Sequence, residues 1–361
     1  MELGIIGLPQ SGKSTVFNAL TRGQAETRGE HGIEGPRVGV AKVRDPRIER
    51  MSELFPTAKK VYAEVQYVDM AAMPGDLGKT QGIAGRYLNL LQKVDALLLV
   101  VRVFDDPTVS HPEGSIDPDR DLQTMQMELA FADLGILERR VERLANEFKG
   151  AKPPERAKIV EKQAILEKVK KGLEDEVALA KQPLNDDERK LLADYQLLTA
   201  KPVVILWNVG EEGLDTIASV ESGHSGDEAD FMALCGKLEM ELGRMELDDE
   251  TEFRRSMGLT QAARDTVVER CYHTLGYISF LTAGDDEVRA WTIERDLPAV
   301  KAAGKIHSDL ERGFIRAEVC SFEELDKYQN FNELKKLGLL RREGKTYTVR
   351  DGDVMNVLFN V

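Results

Sequence analysis

The chain has 361 residues, of which 42% are hydrophobic and 31% charged, and its formal net charge is −14. This length is typical of two or three domains, and the composition is typical of a globular protein. The negative charge opposes nonspecific adhesion to nucleic acid phosphates, so we expect no DNA partner and only local contact with any RNA. The longest apolar run, 96–101, is too short to span a bilayer, so we expect no membrane partner. The N-terminal sequence shows no secretion signal, so we expect a cytoplasmic location.

The first predicted strand, Leu3 to Ile6, leads into a glycine-rich loop that matches G-x-x-x-x-G-K-[ST], and a predicted helix, Thr15 to Thr21, follows it. Strand, loop and helix in this order are the context of a phosphate-binding loop. The glycines allow backbone N–H groups to turn inward around phosphate oxygens, the lysine adds positive charge, and the serine hydroxyl is available to Mg²⁺. The predicted phosphate-binding residues are Gly7, Pro9, Gln10, Ser11, Gly12, Lys13, Ser14 and Thr15.

Further buried-type strands alternate with helical stretches along the first two hundred residues or so. They are predicted at Val38 to Val43, Val61 to Val68, Ala96 to Val103 and Val203 to Trp207. The strand that starts at Val61 is followed by Asp69, the position where a P-loop enzyme places a carboxylate that holds Mg²⁺ through water. We therefore predict an α/β domain with a mostly parallel, doubly wound sheet, and Ser14 and Asp69 as its metal residues.

Between the last two of these strands the apolar residues change to helical spacing. From Asp121 this spacing predicts an amphipathic helix of about thirty residues. A second helical run follows Lys152-Pro153-Pro154 and ends near Pro183. The two runs predict an antiparallel α-helical hairpin, or coiled coil, inserted in the α/β domain.

The tail beyond Tyr277 predicts a compact β-grasp module of five short strands and one helix. The strands are predicted at Ile278 to Leu281, Val288 to Thr292, Phe314 to Val319, Tyr347 to Val349 and Val357 to Val361, and the helix at Phe322 to Leu337.

Several motifs together resemble the YchF or Obg-like ATPase family over the whole chain and in the same order. They include the loop and helix at 7–21, the run Phe131-Ala132-Asp133-Leu134, the run Arg289-Ala290-Trp291-Thr292 and the segments 302–307, 313–319 and 351–355. The resemblance implies a G domain with an inserted coiled coil and a C-terminal TGS domain, in a translation-associated factor that binds the ribosome through its RNA or protein. The implied boundaries are 1–120 and 201–276 for the two parts of the G domain, 121–200 for the inserted helical coiled coil and 277–361 for the TGS-like β-grasp domain.

The choice of base follows from the residues after the strand at Val203. GTPases read guanine with Asn-Lys-x-Asp, whereas this chain has Asn208-Val209-Gly210-Glu211. The lysine is absent, and Glu211 is one methylene longer than aspartate, so it would crowd the amino group of guanine and leave Asn208 free to meet adenine. The family's Asn-x-x-Glu is similar and goes with ATP use, and Cys235-Gly236-Lys237 stands where the family has a loop near the base. The predicted base-binding residues are Asn208, Val209, Glu211, Cys235 and Gly236, and the expected ligands are Mg²⁺ and ATP, with GTP as the alternative.

Hydrolysis depends on residues that depart from the usual pattern. Ala72 replaces the glycine of D-x-x-G, and Met73 stands where Ras-like enzymes carry the glutamine that orients water. By resemblance, His111 takes over that role, so Lys13 and His111 are the predicted catalytic residues.

Two further departures mark the chain as a divergent member. The segment Arg28 to Val38 lacks the family's threonine, and Gln10 replaces an asparagine associated with potassium. The sequence predicts a slow, ATP-preferring NTPase that acts as a switch on the translation machinery. A GTPase and a nucleotide-gated adaptor without hydrolysis are the alternatives.

Overall fold

The computed structural model describes residues 1–27, 36–55, 59–69, 83, 85–217, 221, 230–259, 261–284 and 286–360. The predictions about the segment 28–35, Ala72 and Met73 lie outside these residues. The chain divides into two compact units, one made of Met1–Gly39 and Gln66–Thr260, the other of Val40–Val65 and Gln261–Val361.

The described elements follow one another along the chain as an alternation of strands and helices. The strands are β1 (Glu2–Ile6), β2 (Ala25–Thr27), β3 (Arg37–Val43), β4 (Lys59–Val61), β5 (Ala63–Asp69), β6 (Ala96–Arg102), β7 (Val203–Asn208), β8 (Asp230–Leu234), β9 (Tyr277–Ala283), β10 (Glu287–Glu294), β11 (Phe314–Ser321), β12 (Arg341–Glu343) and β13 (Asp353–Phe359). The helices are α1 (Lys13–Leu20), α2 (Pro46–Leu54), α3 (Gly85–Lys93), α4 (Pro118–Gly150), α5 (Pro153–Glu174), α6 (Asp186–Ala193), α7 (Gly236–Leu242), α8 (Leu247–Ser256), α9 (Ala263–Thr274), α10 (Ala299–Ile306), α11 (Ser308–Arg312), α12 (Phe322–Tyr328) and α13 (Phe331–Lys336). Turns of 3₁₀ helix lie at Leu179–Lys181, Leu198–Ala200 and Glu211–Thr216.

A seven-stranded sheet with the order β2-β3-β5-β1-β6-β7-β8 organises the first unit. The neighbours from β5 through β1, β6 and β7 to β8 pair in parallel, and β2 pairs with β3 in the antiparallel sense. All seven residues of β6 are buried because the strand lies between β1 and β7, which explains its uninterrupted apolar sequence. The mostly parallel α/β sheet is confirmed, although β2 and β8 were not predicted.

The helical hairpin is confirmed and comprises α4 and α5. Proline occupies the first turn of both helices, and the N-cap Asp117 of α4 accepts a hydrogen bond from the Arg120 N–H at 3.1 Å. Only two residues join the helices, so they pack as antiparallel neighbours. Their contact is a buried cluster that includes Leu137, Leu144, Leu166, Val169 and Leu173. No helix among the described residues is both long and apolar enough to cross a membrane.

One carboxylate ties this hairpin to the sheet. Asp133 of α4 is fully buried and accepts hydrogen bonds from the Leu198 N–H at 2.7 Å, the Thr199 N–H at 2.8 Å and the Thr199 hydroxyl at 2.7 Å. Burial raises the pKa of Asp133, and these three donors oppose the rise. The 3₁₀ turn that Asp133 holds leads directly into β7.

Buried ion pairs join the two helices after β8. Arg254 of α8 donates to both carboxylate oxygens of Glu239 in α7, at 2.9 and 2.7 Å, and to Glu250 at 2.9 Å. All three side chains are at most 7% exposed, and Arg22 also pairs with Glu250 at 2.8 Å, so both arginines contribute to the compensation of the buried carboxylates.

The second unit is built on a six-stranded sheet with the order β12-β11-β13-β9-β10-β4. Its central strands, β13 and β9, are parallel, while β11 pairs with β13 and β10 pairs with β9 in the antiparallel sense. This arrangement is the one expected of a β-grasp module, and the TGS assignment stays a prediction.

Residues 40–65 contribute to this unit, whereas the predicted boundaries placed them in the G domain. β4 pairs in parallel with β10, and Arg47 of α2 donates to Asp351 at 2.7 Å. Residues 261–276 also group with the C-terminal segment. The predicted strand Val61 to Val68 is therefore two strands, β4 and β5, that belong to different sheets.

Beyond Tyr277 the structure contains four helices among the described residues, whereas the sequence predicted one. The predicted helix Phe322 to Leu337 is interrupted at Gln329, where φ is 55°, and comprises α12 and α13. The helices α10 and α11 were not predicted. The predicted strand Tyr347 to Val349 is wrong, because Thr348 makes only an isolated bridge to Pro298, and β12 is the remaining strand of the tail.

Candidate nucleotide-binding site

The phosphate-binding loop has the backbone that its glycines predict. Gly7 and Gly12 have φ values of 150° and 87°. A Cβ atom on Gly7 would lie 2.3 Å from the Val100 carbonyl oxygen, and one on Gly12 would lie 2.1 Å from the Asn208 amide nitrogen. The loop therefore accepts no side chain at either position.

The first turn of α1 is the place where this loop presents its N–H groups. Gly12 is the N-cap, and since it has no side chain it forms no side-chain cap with the N–H groups of that turn. A helix N-terminus of this kind binds phosphate through its N–H groups and its dipole. The half-buried Ser14 and Thr15 lie in the same turn, and Pro9 and Gln10 lie on the outer part of the loop.

Lys13 folds back over the loop. Its Nζ donates to the carbonyl oxygens of Gly7 at 3.0 Å and Leu8 at 2.7 Å, and the residue is only 8% exposed. Burial lowers the pKa of Lys13 to about 8, and the Asp69 carboxylate opposes this decrease. A bound phosphate would be a negatively charged partner for this amine and would favour its protonated form.

The Asp69 carboxylate lies at the end of β5 and is fully buried. Burial raises its pKa, while the Ser14 hydroxyl, Arg37 and Lys13 oppose that rise. Arg37 approaches the carboxylate only to 3.9 Å, so the described basic residues do not form a close ion pair with it. A buried carboxylate beside a hydroxyl offers the hard oxygen ligands that Mg²⁺ prefers, so Ser14 and Asp69 fit the predicted metal role.

Asn208 connects the phosphate loop to the loop after β8. Its amide nitrogen donates to the Ser11 carbonyl at 3.1 Å, and its amide oxygen accepts from the Gly236 N–H at 3.0 Å. Asn208 is therefore not free of other partners, and its contact with adenine stays a prediction. The residue is 3% exposed and holds two loops together.

The predicted base-binding role of Val209 and Cys235 would involve their backbone atoms. Both side chains are buried in an apolar cluster with Ala233, Leu238 and Leu242. Burial raises the pKa of the Cys235 thiol. The side chains of these residues pack under the two loops in the apolar cluster. In contrast, Glu211 is exposed, and its carboxylate pairs with Lys237 at 3.4 Å.

His111 lies against the phosphate loop, but both of its ring nitrogens are engaged. Nδ1 accepts from the Glu113 N–H at 3.1 Å, so Nε2 carries the proton and donates to Asp121 at 2.8 Å. The His111 side chain is 5% exposed. To orient a water molecule, as the resemblance implies, His111 would have to leave Asp121.

Sequence reasoning assigned no role to three basic residues of the site. Arg102 is 2% exposed and donates to the carbonyl oxygens of Phe104 at 3.1 Å and Val109 at 2.9 Å, and so shapes the loop that carries His111. Arg37 faces Asp69, and Lys237 faces Glu211. Lys237 belongs to the loop Cys235-Gly236-Lys237 that the sequence places near the base, whereas nothing in the sequence marked the other two.

The sheet, the glycine loop and the Lys13, Ser14 and Asp69 side chains define the class: the first unit is a P-loop NTPase fold. In agreement, residues 2–134 match the family model described as "50S ribosome-binding GTPase", and residues 277–360 match "YchF-GTPase_C", described as a protein of unknown function.

Full-length relatives narrow this class. The chain is 35% identical to the Bacillus subtilis "Ribosome-binding ATPase YchF" over 100% of both chains, and 34% identical to the Escherichia coli O157:H7 protein of that name over 100% of this chain and 99% of the relative. The solved Schizosaccharomyces pombe YchF GTPase superposes with a TM-score of 0.84 at 28% identity, covering 99% of this chain and 97% of that one. The chain belongs to the YchF family.

Proposed function

We propose that this protein binds and slowly hydrolyses ATP and uses the nucleotide state to control its association with the ribosome. Nucleotide binding is supported above all by one observation: Lys13, Ser14 and Asp69 lie together at the N-terminus of α1, which has no side-chain cap. The YchF relatives are named ribosome-binding ATPases, and this supports both the ATP and the ribosome assignments. A ribosomal partner in turn implies a cytoplasmic location.

The roles follow from the positions. The α1 N-terminus and Lys13 would hold the β- and γ-phosphates, and Ser14 and Asp69 would hold Mg²⁺, which neutralises charge on the phosphate oxygens. With Met73 in place of a polar residue that orients water, we expect a rate of about 10⁻⁴ to 10⁻² s⁻¹, the range of unassisted switch NTPases.

Single-turnover hydrolysis of labelled ATP and GTP tests the enzymatic part. The wild type should release phosphate from ATP within this slow range, and Lys13→Ala should lose binding by about 2 to 4 kcal/mol. Lys158→Met, which changes an exposed lysine of α5, is the matched control and should behave as the wild type. Tight ATP binding without phosphate release would contradict hydrolysis.

A nucleotide-gated adaptor is the second candidate, because His111 has no ring nitrogen free to orient water. Cosedimentation with purified ribosomes in ATP, in ADP and without nucleotide tests the shared part of both candidates. Binding that differs between the nucleotide states supports a switch. Equal sedimentation in all three conditions, or none, would refute it.

A GTP-specific enzyme is the third candidate, since the matching domain model and the Schizosaccharomyces pombe structure are both described as GTPases. Competition of unlabelled ATP and GTP against a fluorescent nucleotide distinguishes it. We expect ATP to bind at least about tenfold more tightly, a difference of about 1.4 kcal/mol.

A further inference from the structure

A buried carboxylate and an arginine face each other at the predicted metal position. Asp69 lies at the end of β5 and is fully buried, and Arg37 begins the adjacent strand β3. The Arg37 Nη1 lies 3.9 Å from the Asp69 Oδ2. A buried carboxylate is costly unless a positive charge compensates it, and Mg²⁺ does so only while it is bound. Arg37 is placed to compensate the Asp69 charge at other times.

Two contacts with α1 hold the Arg37 guanidinium in this position. Its Nη2 donates to the Asn18 amide oxygen, and its central carbon lies 4.8 Å from the centre of the Phe17 ring. A planar guanidinium suits both a directed hydrogen bond and stacking on an aromatic ring. Asn18 follows Ser14 by four residues on α1, so the two share one face of the helix. Arg37 is therefore fixed beside both of the predicted Mg²⁺ residues.

The distance between Arg37 and Asp69 is that of a charge interaction and not of a hydrogen bond. A donor 3.9 Å from its acceptor is beyond hydrogen-bonding range, whereas Coulomb attraction decreases only slowly with distance. Arg37 thus compensates the Asp69 charge without a direct bond that Mg²⁺ would have to break. The Arg37 side chain is 31% exposed, so it can move toward solvent when a divalent cation binds.

The other cation close to Asp69 has different partners. The Lys13 ammonium donates to the carbonyl oxygens of Gly7 and Leu8 in the phosphate-binding loop, and phosphate oxygens are its expected ligands. The contacts of Arg37 on α1 are an amide and an aromatic ring, both of which are neutral. The charge of Arg37 therefore remains available to Asp69.

We propose that Arg37 is an internal counter-cation for Asp69 that makes nucleotide binding at this site largely independent of Mg²⁺. With Arg37 in place, incoming phosphates meet a compensated carboxylate whether or not the metal is bound. The guanidinium also repels a divalent cation at the same place, because both are positively charged. Arg37 thus strengthens nucleotide binding without the metal and weakens the coupling between nucleotide and Mg²⁺. This inference rests on the proposed nucleotide binding by the P-loop.

Calorimetric titration with ADP in Mg²⁺ and in EDTA measures this coupling. The two affinities of the wild type should differ by less than about tenfold. Arg37→Met removes the charge, so its affinity in EDTA should fall by about tenfold or more, while its affinity in Mg²⁺ should be equal to that of the wild type or higher. Arg139→Met, which changes an exposed arginine of α4, is the matched control and should behave as the wild type.

A double-mutant cycle with Asp69→Asn tests whether Arg37 acts through Asp69. Asparagine removes the buried charge, so in this background Arg37→Met should change the ADP affinity in EDTA by less than about twofold. A direct contact between Arg37 and a phosphate predicts instead that the full loss remains in the Asp69→Asn background. Melting temperatures equal to that of the wild type establish that the variants are folded.

The outcomes separate this inference from the proposed function. Equal losses of Arg37→Met affinity in Mg²⁺ and in EDTA, or no loss in EDTA, would overturn the role of Arg37 and leave nucleotide binding standing. A loss that persists in the Asp69→Asn background would do the same, as would a wild type whose affinity falls by more than about tenfold in EDTA. A wild type that binds ADP in neither condition would overturn the proposed function itself.

Discussion

Nucleotide binding should be coupled to proton uptake by Lys13. Burial lowers the pKa of Lys13 to about 8 in the nucleotide-free protein, compared with the usual 10.5. This difference corresponds to about 3 kcal/mol, at about 1.4 kcal/mol per pH unit. At pH 8.5 about three quarters of the Lys13 amines are neutral, and at pH 7 only about a tenth. Phosphates restore the charged form, so binding takes up about 0.7 proton at pH 8.5 and about 0.1 at pH 7.

Calorimetric titration with ADP in buffers of different ionisation enthalpy measures this uptake directly. Above pH 8 the affinity should fall by up to about tenfold per pH unit, because each binding event must protonate the amine. Lys13→Arg keeps its charge at every pH and should show neither effect. Equal proton uptake at the two pH values would refute the assignment of a lowered pKa to Lys13.

The same pKa predicts a stability effect with a defined sign. The unfolded chain binds the Lys13 proton up to pH 10.5 and the folded chain only up to about pH 8, so the free energy of unfolding should rise with pH between these values. Urea denaturation of the nucleotide-free wild type and Lys13→Met at pH 7.5 and pH 10 isolates this contribution. The difference between the two proteins should change by up to about 3 kcal/mol, and a pH-independent difference would contradict it.

Three substitutions test the contacts around the site. Asn208→Ala should weaken ATP and GTP binding equally, by about 1 to 3 kcal/mol, because it breaks the link between two loops on which both nucleotides depend; a changed ATP to GTP ratio in competition assays would instead support its predicted base-binding role. His111→Asn should lower the free energy of unfolding by about 1 to 3 kcal/mol through the loss of the Asp121 contact, measured in urea; a hydrolysis defect at unchanged stability would instead support catalysis by His111. Arg254→Met should lower the free energy of unfolding by about 3 to 5 kcal/mol, because it removes the bidentate partner of the buried Glu239 and one of the two arginines paired with Glu250, and a melting temperature equal to that of the wild type would show that Arg254 contributes little to stability.

The sequence by itself determined the features that depend on local order. The P-loop could be predicted because its glycines, lysine and serine act within eight consecutive residues. The hairpin could be predicted because helical periodicity and the prolines at 153 and 154 act over neighbouring turns. Asp69 was predicted because it directly follows a buried-type strand, and the structure places it beside Lys13 and Ser14.

Tertiary structure alone decided which neighbouring residues face the site and which support it. The motif at 208–211 does not show that Asn208 bonds to a carbonyl 197 residues earlier, or that Val209 turns into the core. Likewise β4 joins a sheet whose other strands lie more than 200 residues later, so the segment 40–65 leaves the domain that its sequence position implied. Such pairings depend on register between distant segments, and local propensity carries no information about them. The charged pair Glu211 and Lys237 belongs to the same class, because two separate strands had to end side by side before it could form.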